Sequence, residues 1–243
     1  MQGQNKPIKQ DPLDTGQALR INETFASIQG EGIYSGRPAI FIRLAGCMLN
    51  CYFCDTDFEN TSFTASPEQL LTTIKVTHKT NLVVITGGEP LAQNIIPLID
   101  MLVRRGYQVQ IETSGAAFFL PEWNYLNKEW LVPFRNGIGK DVTFVCSPKT
   151  VVINPGLAPY IDCYKYVVKE GQTNTYDGLP DYSTQKPDKL KQVSRPKNGA
   201  PIYVQPMDEK GMPGDTNYDT AIDIAMKYGY RLGLQLHKIL NIQ

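Results

Sequence analysis

The sequence predicts an α/β protein with a mostly parallel sheet. Short apolar runs rich in β-branched residues alternate with stretches whose apolar residues recur at helical spacing, and this alternation favours right-handed βαβ units. Several of the apolar runs end in small or polar residues, such as Thr86 and Ser147. Ligands of parallel α/β proteins bind beyond the carboxyl ends of the strands. These strand ends are therefore the predicted place of a functional site.

The size and charge of the chain limit the classes of protein it can form. It has 243 residues, and its 24 basic and 24 acidic side chains give a formal net charge of zero, so we expect no general attraction to nucleic acid or to an anionic membrane. No segment reaches the roughly 20 apolar residues that a membrane span needs. We expect a cytoplasmic protein with a polar leader over 1–20 and a single core domain over 21–243.

The first predicted elements flank a loop that is rich in cysteine. A strand over 38–46 leads into the loop, because the run PAIFIRLAG carries β-branched and aromatic residues. A helix is predicted over 67–78. Ser66 can cap this helix, Pro67 suits its first position, and Gln69 completes a capping box.

The remaining elements continue the alternation. The apolar run LVVIT predicts a strand over 82–86 that is buried on both faces. Helices are predicted over 94–105 and 217–228, the first from the spacing of its apolar residues. Residues 170–200 are rich in Gly, Pro, Lys and Asp and predict a long irregular connection, whereas 116–141 match no motif. Further strands are predicted over 108–115, 142–149, 164–168, 202–207 and 231–237.

Three of the five cysteines, Cys47, Cys51 and Cys54, form the pattern C-x3-C-x2-C. Three thiolates can hold three irons of a [4Fe-4S] cluster and leave the fourth iron open to a small ligand. A structural zinc site needs four ligands, and neither histidine of the chain lies near the loop, so a zinc module is the weaker alternative. Three unrelated buried thiols are weaker still. Cys146 and Cys163 are predicted to be core thiols.

The cysteine loop resembles the cluster-binding motif of the radical S-adenosylmethionine (SAM) superfamily. An aromatic residue, Phe53, directly precedes the last cysteine, and Gly-Gly-Glu-Pro at 87–90 matches the second element of that superfamily. Two glycines let the backbone approach a ligand, and Glu89 offers an acceptor for an ammonium group. The resemblance implies that SAM chelates the open iron, that Phe53 packs near its adenine, and that an electron from the cluster cleaves SAM to a 5′-deoxyadenosyl radical.

Longer stretches resemble one family within that superfamily, the 7-carboxy-7-deazaguanine synthases of queuosine and deazapurine biosynthesis. The matching segments lie at 27–47, 54–56, 83–90, 110–115, 147–149, 205–208 and 234–242. The resemblance implies that 6-carboxy-5,6,7,8-tetrahydropterin is converted to 7-carboxy-7-deazaguanine with loss of ammonia, after hydrogen abstraction at C6. It also implies an abbreviated radical-SAM partial (β/α) barrel, Mg²⁺, an electron donor such as flavodoxin, and a homodimer.

Matched position by position, the resemblance assigns residues to each ligand. The implied SAM contacts are Phe53, Cys54, Asp55, Gly88, Glu89, Ser114, Ser147, Pro148, Lys149, Gln205, Pro206, Met207 and Asp208. The implied substrate contacts are Ile28, Gln29, Gly30, Glu31, Arg43, Thr86, Gln235 and His237. Thr56 would meet Mg²⁺ through its hydroxyl, although Asp55-Thr56 taken alone predicts only a turn.

Two of these assignments have a plain structural alternative. The guanidinium of Arg43 suits the carboxylate of the substrate, but an arginine on a strand is more commonly a surface residue. A lone histidine such as His237 is as consistent with a structural role.

The cysteine spacing also leaves an alternative function open. Another radical SAM enzyme, such as a glycyl-radical activase acting on a partner protein, shares the same spacing.

Overall fold

The computed structural model describes residues 6–54, 60–77, 79–124, 141–185, 191–208 and 216–242, without the side chains of 75–77 and 124. In these ranges nine strands form one sheet in the order β3-β1-β2-β4-β5-β6-β7-β8-β9. The strands are β1 (Leu19–Ile28), β2 (Pro38–Leu44), β3 (Phe63–Ala65), β4 (Leu82–Gly87), β5 (Gln108–Thr113), β6 (Val142–Cys146), β7 (Ile161–Val168), β8 (Ile202–Pro206) and β9 (Arg231–Leu232). The helices are α1 (Pro67–Thr77), α2 (Ile96–Arg104), α3 (Pro121–Asn124), α4 (Thr216–Tyr228) and α5 (Leu236–Leu240).

The predicted mostly parallel sheet is confirmed. Strands β2 and β4 to β9 pair in parallel, whereas β1 pairs antiparallel with both β2 and β3. The outermost strands β3 and β9 each pair on one side only within the described residues, so the sheet is open there. The connection from β6 to β7 contains a 3-10 turn, Ala158–Tyr160, in place of an α-helix. No helix within the described ranges is long and apolar enough to cross a membrane.

Local signals explain where the first two helices begin. At α1 the predicted capping box forms, because the backbone N–H of Gln69 donates to Ser66 Oγ at 3.3 Å and the backbone N–H of Ser66 donates to Gln69 Oε1 at 2.8 Å. At α2 the side chain of Asn94 accepts from the backbone N–H of Ile96 at 3.2 Å. This side-chain turn precedes the helix, which begins at Ile96, two residues later than the 94–105 prediction.

The predicted strand over 231–237 is wrong beyond Leu232. Arg231 and Leu232 pair with β8, and the Gly233 N–H still donates to the Val204 carbonyl at 2.8 Å. The neighbouring strand then ends at Pro206, which has no N–H to donate. Beyond this point the Leu236 N–H donates to the Gly30 carbonyl at 3.2 Å, and α5 follows.

Strands β1 and β3 were not predicted, and β1 begins inside the predicted leader. The described part of the leader packs on the core. Gln10 Nε2 donates to the carbonyls of Leu91 at 2.7 Å and Phe118 at 2.8 Å, and Trp123 Nε1 donates to the Asp11 carbonyl at 3.1 Å. Trp123 is fully buried, so part of the unassigned 116–141 segment covers the core next to the leader.

Alternate side chains of the central strands point to opposite faces of the sheet. On β2, Ile40, Ile42 and Leu44 belong to the main hydrophobic core, which α1 and α2 cover. Phe41, one position out of phase, belongs to a small separate cluster, and Arg43 lines a cavity. One face of the sheet therefore carries the core, and the other carries the cavity.

Cys146 and Cys163 are fully buried free thiols, which confirms the prediction of core cysteines. Cys146 lies in the main core, whereas Cys163 packs with Val145 and Tyr203 on the opposite face. The described part of 170–200 is irregular, as predicted. It nevertheless touches the cysteine loop, where Gln185 forms an isolated antiparallel bridge with Cys51.

Candidate functional site

A cavity of about 640 Å³ lies on the sheet face opposite the main core. Six neighbouring strands, β2 and β4 to β8, contribute its floor because side chains two residues apart share a face. The floor residues are Phe41, Arg43, Thr86, Glu112, Val145, Lys165, Val167 and Gln205. The cavity thus draws on residues within strands as well as on the strand ends where the sequence placed the site.

Most of the predicted site residues meet in this cavity. Those that line it are Ile28, Gln29, Glu31, Arg43, Cys47, Cys51, Phe53, Cys54, Thr86, Gly88, Ser114, Ser147, Lys149, Gln205, Pro206, Met207, Asp208, Gln235 and His237. Gly30, Glu89 and Pro148 stand next to lining residues without forming part of the wall. Asp55 and Thr56 lie outside the described residues.

The three cysteines of the loop are free thiols on the wall of the cavity. Burial, together with the charge of Glu89, raises the pKa of the Cys47 thiol to about 12. Such a thiol becomes a thiolate only with a compensating cation, which an iron cluster supplies. Three cysteine sulfurs on one wall are the donor type that a [4Fe-4S] cluster takes. Within the described residues the three thiols are not drawn together into a ready-made metal site, so the donor set fits a cluster by its chemistry and not by a preformed geometry.

Backbone contacts hold the Gly-Gly-Glu-Pro loop against the strand that leads to Cys47. The Gly88 N–H donates to the Leu44 carbonyl at 3.2 Å, and the Glu89 N–H donates to the Gly46 carbonyl at 3.0 Å. Gly87 has φ +126°, and a Cβ there would lie 2.5 Å from the Leu44 nitrogen. Only glycine fits this approach, so the two loops are fixed relative to each other.

Glu89 connects that loop to the end of β5. Its carboxylate is buried and accepts from Leu91 N–H at 3.2 Å, from Thr113 Oγ1 at 2.7 Å and from Ser114 N–H at 2.9 Å. Burial raises the pKa of Glu89, against the hydrogen bonds from Ser114 and Thr113. In this arrangement the carboxylate orients Ser114, and it is Ser114 that lines the cavity.

The wall predicted to bind SAM holds polar atoms without partners. Ser147 Oγ and Gln205 Oε1 are buried and make no hydrogen bond within the described structure. Buried polar atoms are normally satisfied, so this wall fits a polar ligand. The Lys149 Nζ lies 4.8 Å from the centroid of the Phe53 ring, a cation–π contact that fixes the ring at the cavity. Burial lowers the pKa of Lys149.

Glu31 forms a buried ion pair with Lys165, a residue that the sequence analysis missed. Gln235 Nε2 donates to Glu31 Oε1 at 2.8 Å, and Gln205 Nε2 donates to the same atom at 3.2 Å. Burial acts to raise the pKa of Glu31, but the charge and hydrogen bond of Lys165 and the hydrogen bond of Gln235 outweigh it and lower the pKa to about 2. Glu31 is therefore a carboxylate at neutral pH.

A second carboxylate, Glu112, was also missed. Its Oε1 accepts from Gln29 Nε2 and from Gln110 Nε2, both at 3.0 Å, and its Oε2 accepts from Thr86 Oγ1 at 3.2 Å. A carboxylate can accept about four hydrogen bonds, so Glu112 retains capacity toward the cavity that it lines. The sequence signal that would have found Glu112 is the alternation of polar residues along β5. For Lys165 the signal is a lone charged residue within the apolar stretch Cys163–Val168 of β7.

Arg43 lies at the side of the cavity bounded by aromatic rings. Its Nε donates to Glu23 Oε1 at 2.7 Å, and its guanidinium carbon lies 5.6 Å from the centroid of the Phe25 ring. Phe25 stacks on Phe41 with a centroid distance of 4.9 Å. Because the bond to Glu23 uses Nε, the planar guanidinium is fixed in orientation while its Nη groups remain available to an anionic ligand.

The C-terminal segment closes the remaining side. A Cβ on Gly30 would collide with His237 Nδ1, so the absence of a side chain at Gly30 lets the histidine approach. Lys238 Nζ lies 2.6 Å from Asp208 Oδ2 and joins α5 to the segment after β8. Burial lowers the pKa of His237, although the Glu31 charge acts in the opposite direction. His237 is thus held beside Glu31 at the cavity.

Comparisons with known proteins identify the relatives of this chain. Residues 41–130 match the Radical SAM superfamily. The chain is 43% identical over 250 residues to a 7-carboxy-7-deazaguanine synthase of Rhodospirillum rubrum, with both chains fully covered. It is 34% identical over 241 residues to one of Rickettsia prowazekii, with 94% of this chain and 90% of the relative covered. The crystal structure of QueE from Escherichia coli has a TM-score of 0.61 and 26% identity, over 90% of this chain and 94% of that one.

Proposed function

This chain belongs to the 7-carboxy-7-deazaguanine synthase family of radical SAM enzymes in deazapurine biosynthesis, and we propose that its cavity converts 6-carboxy-5,6,7,8-tetrahydropterin to 7-carboxy-7-deazaguanine and ammonia. One observation carries the proposal. The three cysteines of the loop, Arg43 and two hydrogen-bonded carboxylates line the same cavity. This shared cavity supports a cofactor site and a polar substrate site that would lie next to each other.

The superfamily implies a [4Fe-4S] cluster and SAM. Cys47, Cys51 and Cys54 would hold the cluster, which with SAM supplies a 5′-deoxyadenosyl radical for hydrogen abstraction at C6 of the pterin. Ser147 and Gln205 would satisfy their unpartnered oxygens on polar groups of SAM. Further SAM contacts are proposed for Phe53, Asp55, Gly88, Glu89, Ser114, Pro148, Lys149, Pro206, Met207 and Asp208.

The substrate groups match the polar side chains on the other wall. Arg43 would bind the carboxylate through its Nη groups, since a guanidinium and a carboxylate pair in bidentate fashion. Glu112 and Glu31 would accept hydrogen bonds from the N–H groups of the pterin ring, because both are already oriented by donors from neighbouring strands. Further substrate contacts are proposed for Ile28, Gln29, Gly30, Thr86, Gln235 and His237.

The proposed reaction releases ammonia and needs no net oxidation or reduction of the substrate. Substrate and products differ by NH₃ alone, so the conversion is redox-neutral and SAM can be regenerated in each turnover. The chain's own residues then have to hold one ring through its rearrangement. Fixed donors and acceptors on strands suit this task, because they need no reorganisation when charge develops in the substrate.

Mg²⁺ is proposed as a further cofactor, bound through the hydroxyl of Thr56. The proposal rests on the resemblance, and hard oxygen ligands with few protein contacts suit this ion. The Thr56→Ala variant should keep its iron while its activity loses the response to added Mg²⁺. An unchanged Mg²⁺ dependence would contradict the role of Thr56.

A homodimer, a cytoplasmic location and a low-potential electron donor such as flavodoxin are proposed on the same family basis. Ile222 and Met226 lie four residues apart on α4 and are 43% and 82% exposed, which supplies an apolar face for association. Light scattering of the wild type and of Met226→Glu tests the dimer. Turnover driven by reduced flavodoxin tests the donor.

The activity itself is tested with anaerobically reconstituted, reduced protein. Incubation with SAM and 6-carboxy-5,6,7,8-tetrahydropterin should give 7-carboxy-7-deazaguanine and an equal amount of ammonia, both followed by mass spectrometry and enzymatic ammonia detection. Omitting the pterin serves as the control. Cleavage of SAM without formation of the deazaguanine would show that the substrate assignment is wrong.

A further inference from the structure

The sulfur of Cys51 receives side-chain hydrogen bonds from the long connection between β7 and β8. Gln185 Nε2 lies 3.0 Å from Cys51 Sγ, and Thr184 Oγ1 lies 3.1 Å from the same sulfur. The two segments also pair through the isolated bridge between Cys51 and Gln185. The resemblance assigns no function to this connection, yet it reaches one of the three cluster cysteines.

The amide orientation of Gln185 follows from its second contact. The backbone N–H of Asn50 donates to Gln185 Oε1 at 2.8 Å. A backbone N–H requires an acceptor, so the oxygen of the amide must face Asn50 and the NH₂ group must face Cys51. The NH₂ group has two hydrogens, and its partners are Cys51 Sγ and Thr184 Oγ1, the latter at 2.8 Å.

Thr184 is held in position from the opposite side. Its backbone N–H donates to the Lys149 carbonyl at 3.0 Å, and the hydroxyl of Ser183 donates to the same carbonyl at 3.0 Å. Thr184 Oγ1 accepts from Gln185, so its single hydrogen is left for Cys51 Sγ or for the Lys149 carbonyl at 3.1 Å. A thiolate is the stronger acceptor because it is charged, so this hydrogen would go to the sulfur when Cys51 is a cluster ligand.

We propose that Thr184 and Gln185 are positioning residues that donate hydrogen bonds to the Cys51 sulfur and raise the reduction potential of the cluster. Reduction adds negative charge to the iron–sulfur unit, and donors at a ligand sulfur stabilise the more negative state. The described contact to Cys47 is a backbone bond, from Leu49 N–H at 3.4 Å, and substitution of Thr184 or Gln185 leaves that donor in place. The inference rests on the cluster and does not depend on the identity of the substrate.

The test is a redox titration of the reconstituted full-length protein, followed by electron paramagnetic resonance, without SAM or pterin. Gln185→Leu removes the amide and with it the contacts to Cys51, Thr184 and Asn50. Thr184→Val removes the hydroxyl in an isosteric side chain, and Thr184→Ser restores it. Tyr52→Phe is the matched control, because Tyr52 Oη donates to Gln172 Oε1 at 3.3 Å, and this bond joins the same two segments through two oxygen atoms.

The expected result is a shift to more negative potential in Gln185→Leu that corresponds to about a tenfold smaller equilibrium constant for reduction, or about 59 mV for one electron. The reduction potential of Thr184→Val should shift in the same direction by a smaller amount. The potentials of Thr184→Ser and Tyr52→Phe should equal that of the wild type. A second supporting outcome is loss of iron from Gln185→Leu and Thr184→Val while Thr184→Ser and Tyr52→Phe retain their iron. That result would show that the two side chains position Cys51.

Unchanged potentials in both Gln185→Leu and Thr184→Val, with full iron content, would overturn the proposal. If Gln185→Leu cannot hold iron, an unchanged reduction potential in Thr184→Val would overturn the proposal. A shift of equal size in Tyr52→Phe would also overturn it, since the cause would then be loosening of the loop. The titration contains no substrate, so its outcome is independent of whether the pterin is turned over.

Discussion

Glu31 and Lys165 form a buried ion pair that joins the segment after β1 to the middle of β7. Gln205 on β8 and Gln235 near the C-terminus donate to the same carboxylate. The Glu31 carboxylate thus links its own segment to three others that are distant along the chain. Each segment also lines the cavity, so the pair determines the shape of the site as well as contributing to the fold.

Removing one partner of this pair should destabilise the protein strongly. Lys165→Met leaves Glu31 buried without its counter-charge, and breaking a buried pair in this way costs about 3–5 kcal/mol. The measurement is the free energy of unfolding from urea titration. The control is Arg104→Ala, which breaks the exposed pair with Asp100 four residues away and should cost about 0.5 kcal/mol or less. Equal losses in the two variants would contradict the energetic role of Lys165.

The stability of the protein should fall in acid through Glu31. The pKa of this carboxyl is lowered from 4.5 to about 2 in the folded state, so its contribution is present above pH 4.5 and is lost as the pH falls toward 2. The expected loss is on the order of 3 kcal/mol. Glu31→Gln should be less stable at neutral pH but should show a flatter pH profile over this interval. Parallel profiles for the two proteins would refute the assignment.

Arg43 should govern substrate affinity. Arg43→Lys keeps the charge but loses the planar fork, and a hydrogen bond to a charged group contributes about 1.5–3 kcal/mol. KM for the carboxytetrahydropterin should therefore rise at least about tenfold, with SAM cleavage largely retained. Arg37→Lys is the control, because Arg37 donates to Gln108 at 2.8 Å outside the cavity. A KM for Arg43→Lys equal to that of the control would exclude the proposed contact.

Gly30→Ala should disturb the C-terminal side of the site. The added methyl group would collide with His237 Nδ1 and would lie 3.1 Å from the backbone nitrogens of Leu236 and His237, so α5 must move. We expect a higher KM for the pterin together with a lower Tm. Gly199→Ala is the control, because a Cβ there meets nothing within 4 Å. If Gly30→Ala matches this control in both measurements, the close packing of α5 is unnecessary for binding.

Cys51→Ala should remove the brown colour, the bound iron and the cleavage of SAM together, because two thiols cannot replace three cluster ligands. Cys163→Ala provides a matched loss of one thiol away from the cavity. That variant should retain its iron and lose only stability, by roughly 1 kcal/mol for a small buried group. Full iron content in Cys51→Ala would refute the role of Cys51.

The predictable part of the fold depended on local chemistry. The strand Leu82–Gly87 and the helix Pro67–Thr77 followed from an apolar run and a capping box, both contained within a few residues. The prediction failed at 231–237, where the end of a neighbouring strand at Pro206 decided the outcome. Pairing between distant segments is set by tertiary structure, so local pattern alone could not locate that end.

The same division separates the parts of the site. The cysteine spacing and the Gly-Gly-Glu-Pro motif identified the cluster loop, because these residues act through their position in a short segment. Glu112 and Lys165 were missed, since their chemistry depends on which face of the sheet they occupy, and a shift of one residue in strand register reverses that face.

The sequence by itself determined the superfamily, the three thiols proposed to hold the cluster and most of the residues that line the cavity. Only the tertiary structure decided which partners those residues have. Lys165 reaches Glu31 across 134 residues, and Gln185 reaches Cys51 across another 134. Charge state and hydrogen bonding depend on burial and on neighbours in space, which for these groups come from parts of the chain that the local sequence does not specify.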